Sequence, residues 1–247
     1  PAPDGFPAPD GFPAPDGLEY LDFQRAGIEF ITSRRHTLLA DEMGLGKTVQ
    51  ACGALNADVD CRSALIVCPA SLRLNWRNEL ERWLTREHRI QVVSSGRSAL
   101  ALSPSTSEEL NVFIISYEMM KKYHTQLIAC VWDILICDEA HFLKNGKAQR
   151  TKYVLGFIPR RGGSGAVSPI KAKQKLFLTG TPIQNRPVEM WPIVSALAPD
   201  VFPNFFKFAQ RYCAAEKNRF GWDFTGSSNS EELQTKLRGS VMIRRLK

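Results

Sequence analysis

Thr37-Leu38-Leu39-Ala40-Asp41-Glu42-Met43-Gly44-Leu45-Gly46-Lys47-Thr48 runs from a short apolar stretch into a glycine-bearing turn that closes on Lys-Thr. A brief apolar run bounded by turn residues reads as a buried strand. The turn matches the phosphate-loop template G-x-x-x-x-G-K-[ST] except at its first position, where Asp41 stands in place of glycine. Gly44 and Gly46 let the backbone wrap closely enough to aim N–H groups at phosphate oxygens. A helix expected over 47–55 adds its positive end to the same place. Asp41, Glu42, Met43, Gly44, Leu45, Gly46, Lys47 and Thr48 are therefore the candidate nucleotide cradle. Lys47 is expected on the β- and γ-phosphates and the Thr48 hydroxyl on Mg²⁺, so ATP and Mg²⁺ are the implied cofactors.

Working outward, four more apolar runs end in turn signals, at 64–68, 112–115, 134–137 and 176–178. A helix is expected over 72–84, and Leu21, Gln24, Arg25, Ile28, Phe30 and Ile31 suggest another before the first strand. Apolar strands alternating with helices predict an α/β fold, a parallel sheet with helices on both faces. Such a sheet carries its ligand at the carboxyl ends of the strands.

Two further motifs follow strands. The run 134–137 ends in Asp138-Glu139-Ala140-His141. Two acids at the tip of an apolar strand are costly unless they serve a metal or a proton transfer. Asp138 is the candidate Mg²⁺ ligand, through the ion's water shell, and Glu139 the candidate base for the water that attacks the γ-phosphate. With Lys47 they form the expected catalytic set. His141 either relays between this acidic box and a later motif or caps and packs. The run 176–178 ends in Thr179-Gly180-Thr181-Pro182, whose hydroxyls could sense the γ-phosphate; the same sequence also makes a good turn.

Composition narrows the classes. The 247 residues are 44% hydrophobic and 23% charged, an ordinary globular balance with no apolar run long enough to span a bilayer. No basic-then-apolar leader opens the chain, so the expected place is intracellular. The six cysteines form no C-x-x-C pair and are expected to be buried, reduced thiols. The net charge of +7 suits a polyanionic partner. Residues 1–17 repeat PAPDGF and read as a flexible low-complexity arm or an artificial appendage; a globular unit is expected over 18–247. Residues 159–175 are basic and rich in Gly and Ser, expected as a surface loop or as a contact to a phosphate backbone.

Together ADEMGLGKTVQ, the DEAH box, LTGTPIQN and LIVCPASLRLNWRNELERW resemble the Swi/Snf family of helicase-like ATPases within helicase superfamily two. The resemblance implies a RecA-like lobe (a P-loop NTPase lobe), the first of two, whose ATP hydrolysis drives movement on double-stranded DNA. It implies that Gln24 reads adenine, with Phe23 where the family usually has Tyr, and that Thr179 and Thr181 are coupling residues beside His141. It also marks Pro69, Ser71, Ser116, Tyr117, Gln184 and Asn185 as candidate DNA contacts, with Arg73 and Arg77 adding charge. Trp76 and Trp83, seven apart on one helix, are expected in the core.

The segments 221–233 and 241–247 resemble the annealing-helicase (HARP-like) branch, whose members rewind single-stranded DNA and remodel stalled replication forks, so double-stranded or forked DNA is the implied partner. In a eukaryote that places the protein in the nucleus, in a bacterium or phage in the cytoplasm or nucleoid. The family's second lobe is expected after Lys247, so this chain reads as an isolated first lobe with hydrolysis near background. Two rivals stand beside it: a DEAH-type RNA helicase, against which Thr179-Gly180-Thr181 speaks because that class carries Ser-Ala-Thr, and a non-enzymatic docking module with an unused phosphate loop.

Overall fold

The computed structural model describes residues 11–94, 96, 108–159, 165–181, 186–219 and 221–247. Five strands fall where the apolar runs lie: β1 (His36–Leu39), β2 (Ser63–Cys68), β4 (Leu110–Ser116), β5 (Val131–Cys137) and β6 (Lys171–Leu178). Two more join them, β3 (His88–Val92) and β9 (Met242–Ile243). The seven form one sheet in the order β3-β4-β2-β5-β6-β1-β9, with every pairing parallel.

Helices cover both faces, as burial on two sides requires. Side chains of successive strand residues point to opposite faces. Leu38, Leu65, Val67 and Phe177 therefore face one core, shared with α4 (Met120–Ile128), α5 (Gln149–Leu155), α6 (Trp191–Leu197), α7 (Phe205–Tyr212) and α8 (Ser230–Ser240). Leu39, Ile66, Ile136 and Leu178 face the other, shared with α1 (Asp22–Thr32), α2 (Lys47–Ala57) and α3 (Arg73–Trp83). A separate antiparallel hairpin joins β7 (Glu216–Asn218) to β8 (Gly221–Asp223). The expected α/β architecture is the observed one.

Two expectations are corrected. The basic stretch 159–175 is not wholly a loop, because Lys171 to Lys175 begin β6 and pair with β5. Their alternating charges hid a strand whose first half runs beyond the apolar core: Lys173 pairs with Asp133 at 2.7 Å, and Lys175 donates to the Ala196 carbonyl. Residues 160–164 of that stretch lie outside the described residues. The end of the N-terminal repeat is not a free arm either. Phe12 and Ala14 pack on the α1–α2–α3 core, and the Pro13 carbonyl accepts from Tyr20 and Asn56. Residues 241–247 complete this sheet, within the unit expected over 18–247: Leu38, Ala40 and Glu42 donate backbone N–H groups to Val241, Ile243 and Arg245. All six cysteines are free, five of them buried, and burial pushes the Cys61 and Cys68 thiols up to about 12.

Candidate nucleotide site

Register brings the motifs to one level. Leu39 of β1 stands opposite Leu178 of β6, and Phe177 of β6 opposite Cys137 of β5. The loop after β1, the Thr-Gly-Thr turn after β6 and the acidic box after β5 therefore leave the sheet side by side at its carboxyl edge. Ser116 and Cys68 end β4 and β2 at the same level, opposite one another.

Glycine makes the loop possible. Gly44 and Gly46 hold φ of +86° and +66°, a region that L side chains rarely adopt. A Cβ on Gly46 would also fall 2.4 Å from Gln24 Nε2, so this glycine admits the expected adenine-reading side chain against the loop. Gln24 is buried, and its Oε1 accepts from Leu21 N at the head of α1. Gly46 caps α2 without a side-chain bond, which leaves the helix's first N–H groups to whatever meets its positive end.

Lys47 Nζ reaches back to the carbonyls of Asp41 and Glu42 at 2.8 and 3.2 Å. Burial lowers the pKa of its ammonium, while Glu139, Asp41 and Asp138 pull the other way. Thr48 follows it, half-buried, in the first turn of α2. Leu45 is half-buried in the loop, and Met43 is exposed at its tip, over Gly180.

The first loop position departs from expectation. Asp41 is fully buried and its carboxylate turns away from the phosphate cradle. It accepts from Arg245 Nε at 3.0 Å and Nη2 at 2.6 Å, from the Arg245 backbone N–H at 3.0 Å, and from Gln50 Nε2 at 3.0 Å. Arg245 also donates to Gln50 Oε1 and to the Phe23 carbonyl. Asp41 thus contributes its backbone to the loop, while its side chain clamps loop, adenine segment and C-terminal strand together. Glu42 Oε2 in turn accepts from Lys247 N at 2.8 Å. No spacing rule could have matched Arg245 to a residue more than two hundred positions away.

The acidic box is held as tightly. Asp138 is buried, and its carboxylate accepts from the Trp76 indole N–H at 2.8 Å and from Glu139 N at 2.9 Å. Burial raises its pKa despite those bonds. A buried acid so destabilised as an anion fits a cation partner, as Mg²⁺ would be, and a half-buried ammonium beside N–H groups of a helix start fits a phosphate. Glu139 takes φ +48°, left-handed backbone that a non-glycine residue adopts at a penalty on the order of 1–3 kcal/mol. His141 Nδ1 lies 3.1 Å from Glu139 Oε2. Thr179 is buried and its hydroxyl accepts from Thr181 N at 3.2 Å, while Thr181 is exposed. With His141 and Arg186 these threonines line a cavity of about 40 Å³.

The DNA candidates divide. Ser71 is exposed on the helical turn after β2, beside half-buried Pro69. The side chains of Ser116 and Tyr117 are buried instead: Tyr117 donates its hydroxyl to the Asp138 carbonyl at 2.8 Å and stacks on Phe142. Each can therefore offer DNA little beyond backbone, because a ring that supports the acidic box is not free to leave it. Arg73 is committed to the Val93 carbonyl, while Arg77 lies exposed near Glu81. Gln184 and Asn185 lie outside the described residues. Trp76 and Trp83 are core, but Trp76 carries a polar task that its helical spacing did not announce.

Comparison with known proteins gives the family and the fold. A family profile described as the SNF2-related domain matches residues 23–247. The chain is 38% identical over 231 residues to the SWI/SNF-related matrix-associated actin-dependent regulator of chromatin subfamily A-like protein 1 of Xenopus tropicalis, covering 92% of this chain and 22% of that protein. It is 35% identical over 238 residues to the DNA annealing helicase and endonuclease ZRANB3 of Bos taurus, covering 92% of this chain and 21% of the relative. It therefore spans about a fifth of the length of these curated relatives. The Sulfolobus solfataricus SWI2/SNF2 ATPase core in complex with dsDNA matches it with TM-score 0.69 at 25% identity, over 91% of this chain and 44% of that one.

Proposed function

The chain belongs to the SNF2-related family, and from that premise we propose that it is the first, ATP-binding lobe of a DNA-dependent ATPase that moves on or anneals duplex DNA. The observation that carries the reading is the shared level of the β1, β6 and β5 ends, which sets Lys47 within the field of both Asp138 and Glu139. The likeness to a DNA annealing helicase supports the annealing branch, and the likeness to a core in complex with dsDNA supports a duplex partner. In a eukaryotic source the site of action is the nucleus. Among the described residues no helix is long and apolar enough to cross a membrane.

In this reading the backbone N–H groups of residues 44–48 and the Lys47 ammonium hold the phosphates, and Gln24 contacts the base. Thr48 and Asp138 hold Mg²⁺, partly through water. Held by these two residues, Mg²⁺ would neutralise charge that develops in transfer. Glu139 accepts the proton of the attacking water, and His141 holds the carboxylate. Thr179 and Thr181 carry the nucleotide state towards the DNA-facing turns. A second lobe, elsewhere in a longer chain, supplies the remaining contacts to the γ-phosphate.

The test is the ATPase rate with and without duplex and forked DNA, for this chain and for one extended through a second lobe, alongside Mg²⁺-dependent ATP binding. Binding by both chains, abolished by Lys47→Ala, and strong DNA stimulation of the extended chain alone are expected. Absence of Mg²⁺-dependent ATP binding, or indifference of both chains to DNA, would sink the proposal.

A further inference from the structure

The hairpin of β7 and β8 stands outside the main sheet, and every residue of its two strands is exposed. Two three-residue strands are too short to hold together by themselves in water. Aromatic packing anchors them. Trp191, packed on the core, meets Phe205 edge to face at 5.4 Å, and Phe205 meets Phe224 at 5.2 Å. Phe224 lies parallel to Trp222, within 5° at 6.3 Å, and Phe206 of α7 sets its ring edge to face with Trp222 at 4.8 Å. The chain of rings ends at the surface. Among the described residues the large exposed aromatic side chains are Trp222 at 43% and Phe206 at 38%, and they are the two in contact.

The charge around them is basic. Between Asn204 and Phe224 stand Lys207, Lys217 and Arg219 against Glu216 and Asp223, while Arg211 is paired with Glu232. Lys217 is the cross-strand partner of Trp222, which places both side chains on one face of the hairpin. Asp223 stays exposed and accepts from Thr225 N, and Arg186 lies close enough for its charge to act on that carboxyl. Arg186 also lines the cavity with Thr179 and Thr181, so the hairpin flanks the turn that couples nucleotide to DNA. The large exposed apolar groups of this segment are aromatic alone, backed by rings and flanked by Lys207 and Lys217. That combination suits stacked bases and a phosphate backbone.

We propose that the hairpin is a stacking platform for unpaired nucleotides, with Trp222 and Phe206 taking bases and Lys217 and Lys207 the adjoining phosphates. The proposal rests on the DNA reading given above and adds a single-strand contact to it, at the junction where a fork separates.

The experiment is anisotropy of a labelled oligothymidine and of a labelled blunt duplex with the 247-residue chain and its variants. Trp222→Ala is expected to weaken oligothymidine binding on the order of tenfold, from the stacking lost with one base, while duplex binding stays within about twofold. Trp222→Tyr keeps a ring and is expected to retain most of the affinity, which separates stacking from misfolding. Lys217→Gln is expected to shallow the salt dependence of single-strand binding. Equal losses on both DNAs, or an oligothymidine affinity indifferent to Trp222, overturn the proposal. Duplex binding without single-strand binding overturns it while sparing the motor reading; failure to bind any DNA takes down both.

Discussion

At the scale of single residues, Asp41 and Trp76 changed meaning between sequence and structure. Asp41 replaces the first glycine of the loop template, and a charged side chain there invites a nucleotide contact; its carboxylate instead closes a buried pair with Arg245. Removing one partner of such a pair leaves the other charged and dry, at about 3–5 kcal/mol. Arg245→Met is therefore expected to lower stability by that amount in urea unfolding and to weaken ATP binding, whereas Asp41→Leu combined with Arg245→Met recovers much of the stability. Losses that simply add in the double variant would show that the two residues do not act as a pair. Trp76 donates to Asp138, so Trp76→Phe keeps the ring and strips the N–H. The expected outcome is about 1–3 kcal/mol less stability and a weaker Mg²⁺ requirement in nucleotide titrations. A variant that unfolds earlier yet keeps its Mg²⁺ dependence would make Trp76 a packing residue only.

At the scale of elements, β1 is set by both neighbours. Its first residue, His36, accepts a hydrogen bond from Lys175 N through Nδ1, which requires that nitrogen to be unprotonated. Burial, with the charges of Lys175 and Arg35, holds this imidazole down at about 4. The unfolded chain, with an ordinary histidine near 6.5, therefore binds the proton first as pH falls, so stability is lost between about pH 6.5 and 4 and regained on the way up. Melting temperature followed from pH 7 to 5 should fall, and His36→Gln should flatten that slope; an unchanged slope would place the acid sensitivity elsewhere. Next to it, Gly46 combines a positive φ with the close approach of Gln24. Gly46→Ala is expected to abolish ATP binding, measured by fluorescent-analogue titration, while leaving the sheet folded.

At the scale of the molecule, ligand and fold are linked. A nucleotide that binds the folded chain alone stabilises it by about 2.7 kcal/mol at one hundred times its Kd. For a protein of this size that amounts to a rise in melting temperature of roughly 5–10 °C with ATP and Mg²⁺. The rise should vanish in Lys47→Ala and shrink with Mg²⁺ removed, and its presence in Lys47→Ala would refute the assignment of the loop.

Sequence alone determined the strands whose apolar runs are long enough to be buried on both faces, and the turns that follow them. Glycines at fixed spacing, a lysine and two strand-tip acids announce phosphate and metal chemistry because few other uses repay those residues in that place. Local pattern could not reach further. β3 lacks a continuous apolar run and the charged first half of β6 mimics a loop, because there hydrogen bonding, not burial, makes the strand; β9 is apolar and buried but only two residues long, too short to announce itself. Which polar groups meet was likewise a matter of tertiary structure. Arg245 finds Asp41, Trp76 finds Asp138, and Tyr117 turns inward beneath the acidic box, because parallel register brings separate segments to one edge where each buried polar atom must find a partner.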